Sequence, residues 1–151
     1  MKSLIALSCL FFSTMCFSAD WGYAASSNDT SYWIDREFYK YDGKSNNVDI
    51  WTKSVTKKTE GSEFYTKTKS LNRYSCINKE YKNLAFIEYK EDGSVEFSSS
   101  KPDTTFSIIF PETVAEGLWE VACKSKGKGL RFNEYQKSFE DMSKLYIQQN
   151  S

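Results

Sequence analysis

Apolar and polar residues alternate along most of the chain from Trp21 to Phe110, which is the pattern of half-buried β-strands. Turn signals such as Asp42-Gly43 and Asp92-Gly93 separate the alternating segments, and the short connections favour antiparallel pairing. The predicted strands are Trp21–Ala25, Ser31–Asp35, Val48–Val55, Phe64–Cys76, Tyr81–Lys90 and Val95–Ser99.

The pattern changes to that of a helix after Pro111, which ends a last apolar run. Thr113 and Glu116 have the spacing of a capping box, and the apolar residues that follow recur at helical intervals. Gly117 within this helix would allow a close approach to the sheet. The predicted fold is therefore α+β, an antiparallel sheet of about six strands with a C-terminal helix packed on it.

The first residues are typical of a secretory signal peptide, because Lys2 precedes the apolar run Leu4–Phe17. We assign residues 1–19 to this signal, with cleavage after Ser18 or Ala19. The run of about fourteen residues is shorter than the roughly 20 that span a bilayer as a helix, and no later segment is as long. We expect an exported protein, in the periplasm or at the outer surface, with no transmembrane segment in the mature chain.

The sequence contains four cysteines, and two of them, Cys9 and Cys16, lie inside the signal. Neither follows the Leu-small-small pattern that usually precedes a lipid-attachment cysteine. Cys76 and Cys123 remain as an even pair in an exported chain, where a disulfide is the default state. The bridge would pin the helix to a strand and stabilise the fold by roughly 4 kcal/mol.

The chain divides into an α+β domain at residues 20–124, a basic glycine-rich linker at 125–131 and an amphipathic helix at 132–151. The apolar stripe of this last helix favours packing back on the domain over binding a partner or a second copy. Self-association through the stripe stays the alternative. The residues that form it are Phe132, Tyr135, Phe139, Met142 and Tyr146.

The composition excludes several classes of function. Without the signal the net charge is about −1, so no global charge favours nucleic acid or a membrane surface. The sequence has no histidine, which removes the usual general base and nitrogen metal ligand. Since the disulfide takes the mature cysteines, no thiol nucleophile or zinc site is left. We expect no enzymatic activity, no cofactor and no metal.

One local concentration of positive charge lies on the predicted sheet, along the strand Phe64–Cys76 and its neighbour. An acidic protein segment or a sulfated glycan could bind there by charge-assisted hydrogen bonds. The favoured alternative is a solvated face that lysines keep soluble. The candidate ligand-binding residues are Tyr65, Lys67, Lys69, Arg73, Lys79 and Lys82.

Four short motifs in a fixed order give the chain a family resemblance. They are Asp20-Trp21, Tyr32-Trp33-Ile34-Asp35, Tyr74-Ser75-Cys76, and the end piece from Pro111-Glu112-Thr113-Val114-Ala115-Glu116 to Val121-Ala122-Cys123. With these motifs the segment from about Trp21 to Lys124 resembles the surface-adhesin protein E family, small exported proteins of Gram-negative bacteria.

The resemblance implies an antiparallel sheet with a C-terminal helix tied back by one disulfide. It also implies a protein-binding role, with host matrix or serum proteins such as laminin, vitronectin and plasminogen as partners. The matching binding region is about Phe64–Lys90, which includes the basic strand. The alternative function is that of an interaction or inhibitor protein of the cell envelope, working in the periplasm.

Overall fold

The computed structural model describes residues 19–27, 30–61 and 63–129. Nearly all of the predicted signal peptide, and the predicted helix at 132–151, lie outside these residues. In chain order the elements are β1 Trp21–Ser27, β2 Thr30–Asp42, β3 Asn47–Lys57, β4 Phe64–Ser75, β5 Glu80–Tyr89, β6 Val95–Ser99, β7 Ser107–Ile108 and α1 Val114–Cys123.

The strands form one sheet in the order β1-β2-β3-β4-β5-β6, and every neighbouring pair is antiparallel. The short β7 pairs with the start of β5, on the same side of β5 as β6. The simple order follows from the tight turns between consecutive strands. The predicted α+β fold is therefore confirmed.

Strand β2 is longer than the sequence pattern predicts, since it continues past Asp35 to Asp42. Its register against β3 shifts between Ile34 and Tyr39. Within this shift the Asp35 carboxylate accepts hydrogen bonds from the backbone N–H groups of Glu37 and Phe38, at 3.0 and 3.4 Å. The irregularity interrupts the alternation of side chains. A period-two pattern in the sequence therefore does not detect the second half of the strand.

Helix α1 covers one face of the sheet, here called the helix face. Thr113 caps it by accepting a hydrogen bond from the Glu116 N–H. Gly117 lies against β1, where a Cβ atom would be 3.0 Å from that of Ala25, so glycine permits the close approach that the sequence suggests. The buried core beneath the helix consists of Ile34, Val48, Ile50, Tyr74, Ile109, Leu118 and Ala122.

The disulfide between Cys76 and Cys123 is present, with a Cα–Cα distance of 5.5 Å. It joins the end of β4 to the end of α1. Next to it the Trp119 indole N–H donates to the Ser75 carbonyl at 3.0 Å. The bridge and this hydrogen bond hold the helix at the position that the core requires.

Candidate binding surface

The sheet face opposite α1 is here called the distal face. Val48 pairs with Tyr74 and Ile50 with Asn72 across β3 and β4, and these side chains point toward the helix. Because side chains alternate along a strand, the intervening pairs lie on the distal face. These pairs are Asp49 with Arg73, Trp51 with Leu71, and Lys53 with Lys69.

A small apolar cluster supports one end of the distal face. Tyr23, Trp33 and Val55 are buried there, and the rings of Tyr23 and Trp33 meet edge to face at 5.5 Å. Lys53 is only 2% exposed, with its ammonium 4.3 Å from the centre of the Trp21 ring. Buried aromatic side chains therefore support the distal face at this end of the sheet.

Three of the predicted site residues do lie together on the distal face: Lys69, Arg73 and Lys82. Arg73 donates two hydrogen bonds of 2.7 Å to the Asp49 carboxylate. These bonds raise the pKa of Arg73 and neutralise its charge locally. The sequence pattern missed Asp49, which is adjacent to Arg73 only because of the β3–β4 register.

Both remaining lysines of this group lie over aromatic rings. The Lys69 ammonium is 5.7 Å from the centre of the Tyr89 ring, and that of Lys82 is 5.0 Å from the centre of the Phe106 ring. Such cation–π contacts fix long side chains that would otherwise be mobile. The two lysines are thus held as ordered positive charges on the surface.

A register shift alters the predicted row at Tyr65 and Lys67. Thr68 pairs with Ser54 but Thr66 pairs with Val55, so the register leaves Lys67 without an opposite residue on β3. Lys67 is exposed at this bulge. The regular alternation that placed Tyr65 and Lys67 in line with Lys69 therefore ends here.

Lys79 does not belong to the distal face. It lies in the turn before β5 with a positive φ of 56°. Its ammonium pairs with the Glu116 carboxylate and lies 5.7 Å from the centre of the Trp119 ring, both on α1. Lys79 therefore helps to anchor the helix. The prediction that it lies with the residues of the basic strand was wrong.

A cleft of about 350 Å³ lies where the β3–β4 loop meets the β5–β6 turn. The two loops are tied together, since the Thr59 N–H and hydroxyl donate to the Glu91 carboxylate at 2.9 and 2.6 Å. These bonds lower the pKa of Glu91, because they stabilise its carboxylate form. Residues that line the cleft include Lys58, Phe64, Tyr65, Lys69, Tyr89 and Glu91.

The second half of β2 adds residues that the sequence pattern missed. Lys40 pairs with Asp49, which places it on the distal face, and its ammonium is 4.6 Å from the centre of the Phe38 ring. Phe38 in turn meets Trp51 edge to face at 6.5 Å. The sequence signal for these residues is a run of basic and aromatic side chains. It predicts a surface only when the strand is extended to Asp42.

The distal face thus combines lysines held by aromatic rings with half-buried apolar side chains. Aromatic residues and ordered cations are common in protein-binding surfaces, where they give contact area and complementary charge. Within residues 19–129, apart from the two short gaps, no group of histidine, cysteine, aspartate or glutamate side chains could hold a metal ion. The same part of the chain contains no helix long and apolar enough to cross a membrane.

Comparison with known proteins gives a family and no individual relative. The family model for surface-adhesin protein E matches residues 21–124. Comparisons with the curated proteins and with the solved structures found no significant match. The matched segment runs from the start of β1 to the residue after α1 and contains both cysteines of the disulfide. The chain therefore belongs to the surface-adhesin protein E family.

Proposed function

We propose that this protein is an exported, non-enzymatic binding protein whose distal face docks an acidic surface of a protein partner. The family match supports a protein-binding role. As the partner class we propose host matrix or serum proteins, such as laminin, vitronectin and plasminogen. The observation that carries the proposal is the repeated pairing of a surface lysine with an aromatic ring on this face.

The charge balance of the face supports an acidic partner. Asp49 already neutralises Arg73, so the charges that remain for a ligand are mainly those of Lys40, Lys69 and Lys82. Each is held by a ring and loses less side-chain entropy on binding than a mobile lysine. Carboxylates of a partner would accept charge-assisted hydrogen bonds from them.

Charge reversal tests the proposal. The variant Lys69→Glu with Lys82→Glu should weaken binding to immobilised vitronectin or laminin at least about tenfold in surface plasmon resonance, because two attractive contacts become repulsive. The matched control is Lys44→Glu with Lys126→Glu, two exposed lysines outside the face, in the β2–β3 turn and in the turn after α1. Equal affinities for both double variants, or no binding by the original protein, would contradict the proposal.

A periplasmic interaction or inhibitor protein is the second candidate. It is favoured by the residues before Cys16, Ser13-Thr14-Met15, which differ from the usual lipid-attachment pattern. Cell fractionation with surface protease treatment separates the two candidates. Digestion of the protein on intact cells supports the adhesin, whereas digestion only after the outer membrane is opened supports the periplasmic role.

A further inference from the structure

Four side chains on the distal face are buried as deeply as the core beneath α1. Trp33 and Val55 are completely buried, and Lys53 and Tyr23 are 2% and 6% exposed. Trp33 pairs with Tyr23 on β1 and with Lys53 on β3, so the register places these side chains next to one another. A sheet face that meets water leaves part of such side chains exposed. Burial this complete is typical of a face with a second layer packed on it.

Among the described residues no second layer covers this cluster. All the described strands belong to one sheet, and the only described helix, α1, lies on the helix face. The rings of Trp21 and Phe64 pack against the cluster, but both side chains are themselves only partly buried. The rest of the cover therefore comes from a part of the chain outside the described residues.

Two such parts do not fit this role. The internal gaps at 28–29 and 62 hold three residues, which are too few to form a layer. The predicted signal peptide is removed on export, and it also joins the sheet away from the cluster. The Asp20 carbonyl accepts a hydrogen bond of 2.8 Å from the Arg36 N–H, so the chain before β1 follows β2 past Asp35 and away from Trp33. Residues 130–151 are the part that is left.

The chain after α1 leads directly to the cluster. Gly127 still packs on the helix face, where an added Cβ atom would be 2.6 Å from Tyr39 and 3.0 Å from Ile50. At Gly129 an added Cβ atom would be 3.0 Å from the backbone of Gly22 and 3.2 Å from the carbonyl oxygen of Tyr23. These residues therefore run from the helix face to the edge strand β1, and residue 130 begins beside the buried cluster.

We propose that residues 130–151 pass around the edge at β1 and dock on the distal face over strands β1 to β3. A helix over 132–151 is about 30 Å long, the length of roughly nine strand residues, so it is long enough to cover the cluster. Its apolar side contacts Tyr23, Trp33 and Val55 and completes their burial. The residues on that side are Phe132, Tyr135, Phe139, Met142 and Tyr146.

The buried Lys53 fits a cover that also carries carboxylates. The Trp21 ring, 4.3 Å away, is one partner of the Lys53 ammonium. A lysine is rarely withdrawn from water without an opposite charge nearby. Residues 130–151 contain Glu134, Glu140 and Asp141, so the segment brings negative charge as well as an apolar stripe to this end of the face.

This docking limits where a partner can bind. The segment covers the end of the face at β1 to β3, whereas Lys69, Lys82 and Tyr89 lie on β4 and β5. A partner then meets the β4 and β5 part of the distal face together with the border of the docked segment. This consequence rests on the proposed function, but the docking itself does not.

Acetylation of lysines, followed by mass spectrometry, tests the cover in the full exported chain. Lys53 should react at least about tenfold more slowly than Lys69, its neighbour across the β3–β4 pair. In the variant Phe139→Glu with Met142→Glu, Lys53 should react as fast as Lys69, because the charges disrupt the apolar contact. A fast reaction of Lys53 in the original chain, or a slow one in this variant, overturns the proposal.

A matched control adds the same charge elsewhere on the segment. Asn133→Glu with Gln148→Glu lies opposite the apolar stripe of the predicted helix. Lys53 should stay slow in this variant, and Lys79 on the other side of the sheet should react at one rate in all three proteins. Equal exposure of Lys53 in the control and in the stripe variant overturns the proposal.

A photochemical cross-link tests the position of the segment. With benzoylphenylalanine in place of Phe139, irradiation should attach position 139 to residues 21–57 of the same chain, and peptide mapping locates the attachment. Attachment to α1, or a product that links two chains, overturns the proposal. Neither result depends on a partner, so a failure here is distinct from a failure of the binding test with Lys69→Glu and Lys82→Glu.

Discussion

Two regions of the one sheet differ in how deeply their side chains are buried. One region is strands β2 and β3, and the other is strands β6 and β7. Ile34, Val48 and Ile50 are completely buried under α1, whereas Val95 and Ile108 are more than half exposed. The helix packs on β1 to β4 and leaves the last strands outside its footprint. Stability is therefore concentrated in the first half, and the last strands keep large apolar side chains exposed.

The disulfide should show the largest effect, because it ties the helix to the stable half. Replacing both Cys76 and Cys123 by alanine removes a cross-link between residues 47 positions apart, and we expect a loss of about 4 kcal/mol in the free energy of unfolding. Urea unfolding followed by tryptophan fluorescence measures it. A loss below about 1 kcal/mol would mean that the helix is held by packing alone.

A pair of identical substitutions compares the two halves directly. Ile50→Ala opens a cavity under the helix and should cost about 3 kcal/mol, whereas Ile108→Ala should change stability by less than about 0.5 kcal/mol. Ile108 serves as the matched control, since it is 67% exposed. Similar losses at both positions would show that the β7 edge is covered in solution.

Asp49→Ala should slightly lower the stability of the protein but strengthen its binding to an acidic partner. The Asp49–Arg73 pair is partly exposed, so its loss should cost about 1 kcal/mol or less. The released Arg73 charge should strengthen binding to vitronectin by about threefold. Surface plasmon resonance compares this variant with Glu60→Ala, an exposed acid in the β3–β4 loop. An unchanged or weaker affinity argues against an acidic partner at this face.

The smallest predicted effect is a dependence of stability on pH at the cleft. Hydrogen bonds from Thr59 lower the pKa of Glu91 below its ordinary value of 4.5, so the native state favours the ionised form. The resulting stability is present above pH 4.5 and is lost as the pH falls through the lowered pKa. Urea unfolding between pH 3 and 6 should show a shallower acid-side loss for Glu91→Gln than for Glu60→Gln. Equal slopes would show that the Thr59 contact does not persist in solution.

Local signals allowed much of the fold to be predicted from the sequence. The alternation over Val48–Val55 and the capping residue Thr113 are signals that act over short distances. Cys76 and Cys123 are the only cysteines outside the predicted signal peptide, so their pairing left no alternative. The candidate site was harder, because it depends on register. Neither the Asp49–Arg73 pair nor the placement of Lys79 on the helix can be inferred before the strands are aligned.

A bulky label tests the central claim, that a protein partner docks on the distal face. Lys69→Cys and Glu120→Cys place one reactive thiol on the distal face and on the exposed side of α1, and each is coupled to a maleimide polyethylene glycol. Binding to vitronectin is then compared before and after coupling. The account predicts that the label at position 69 abolishes binding and the label at position 120 leaves it intact. Loss of binding only with the label on the helix would contradict it.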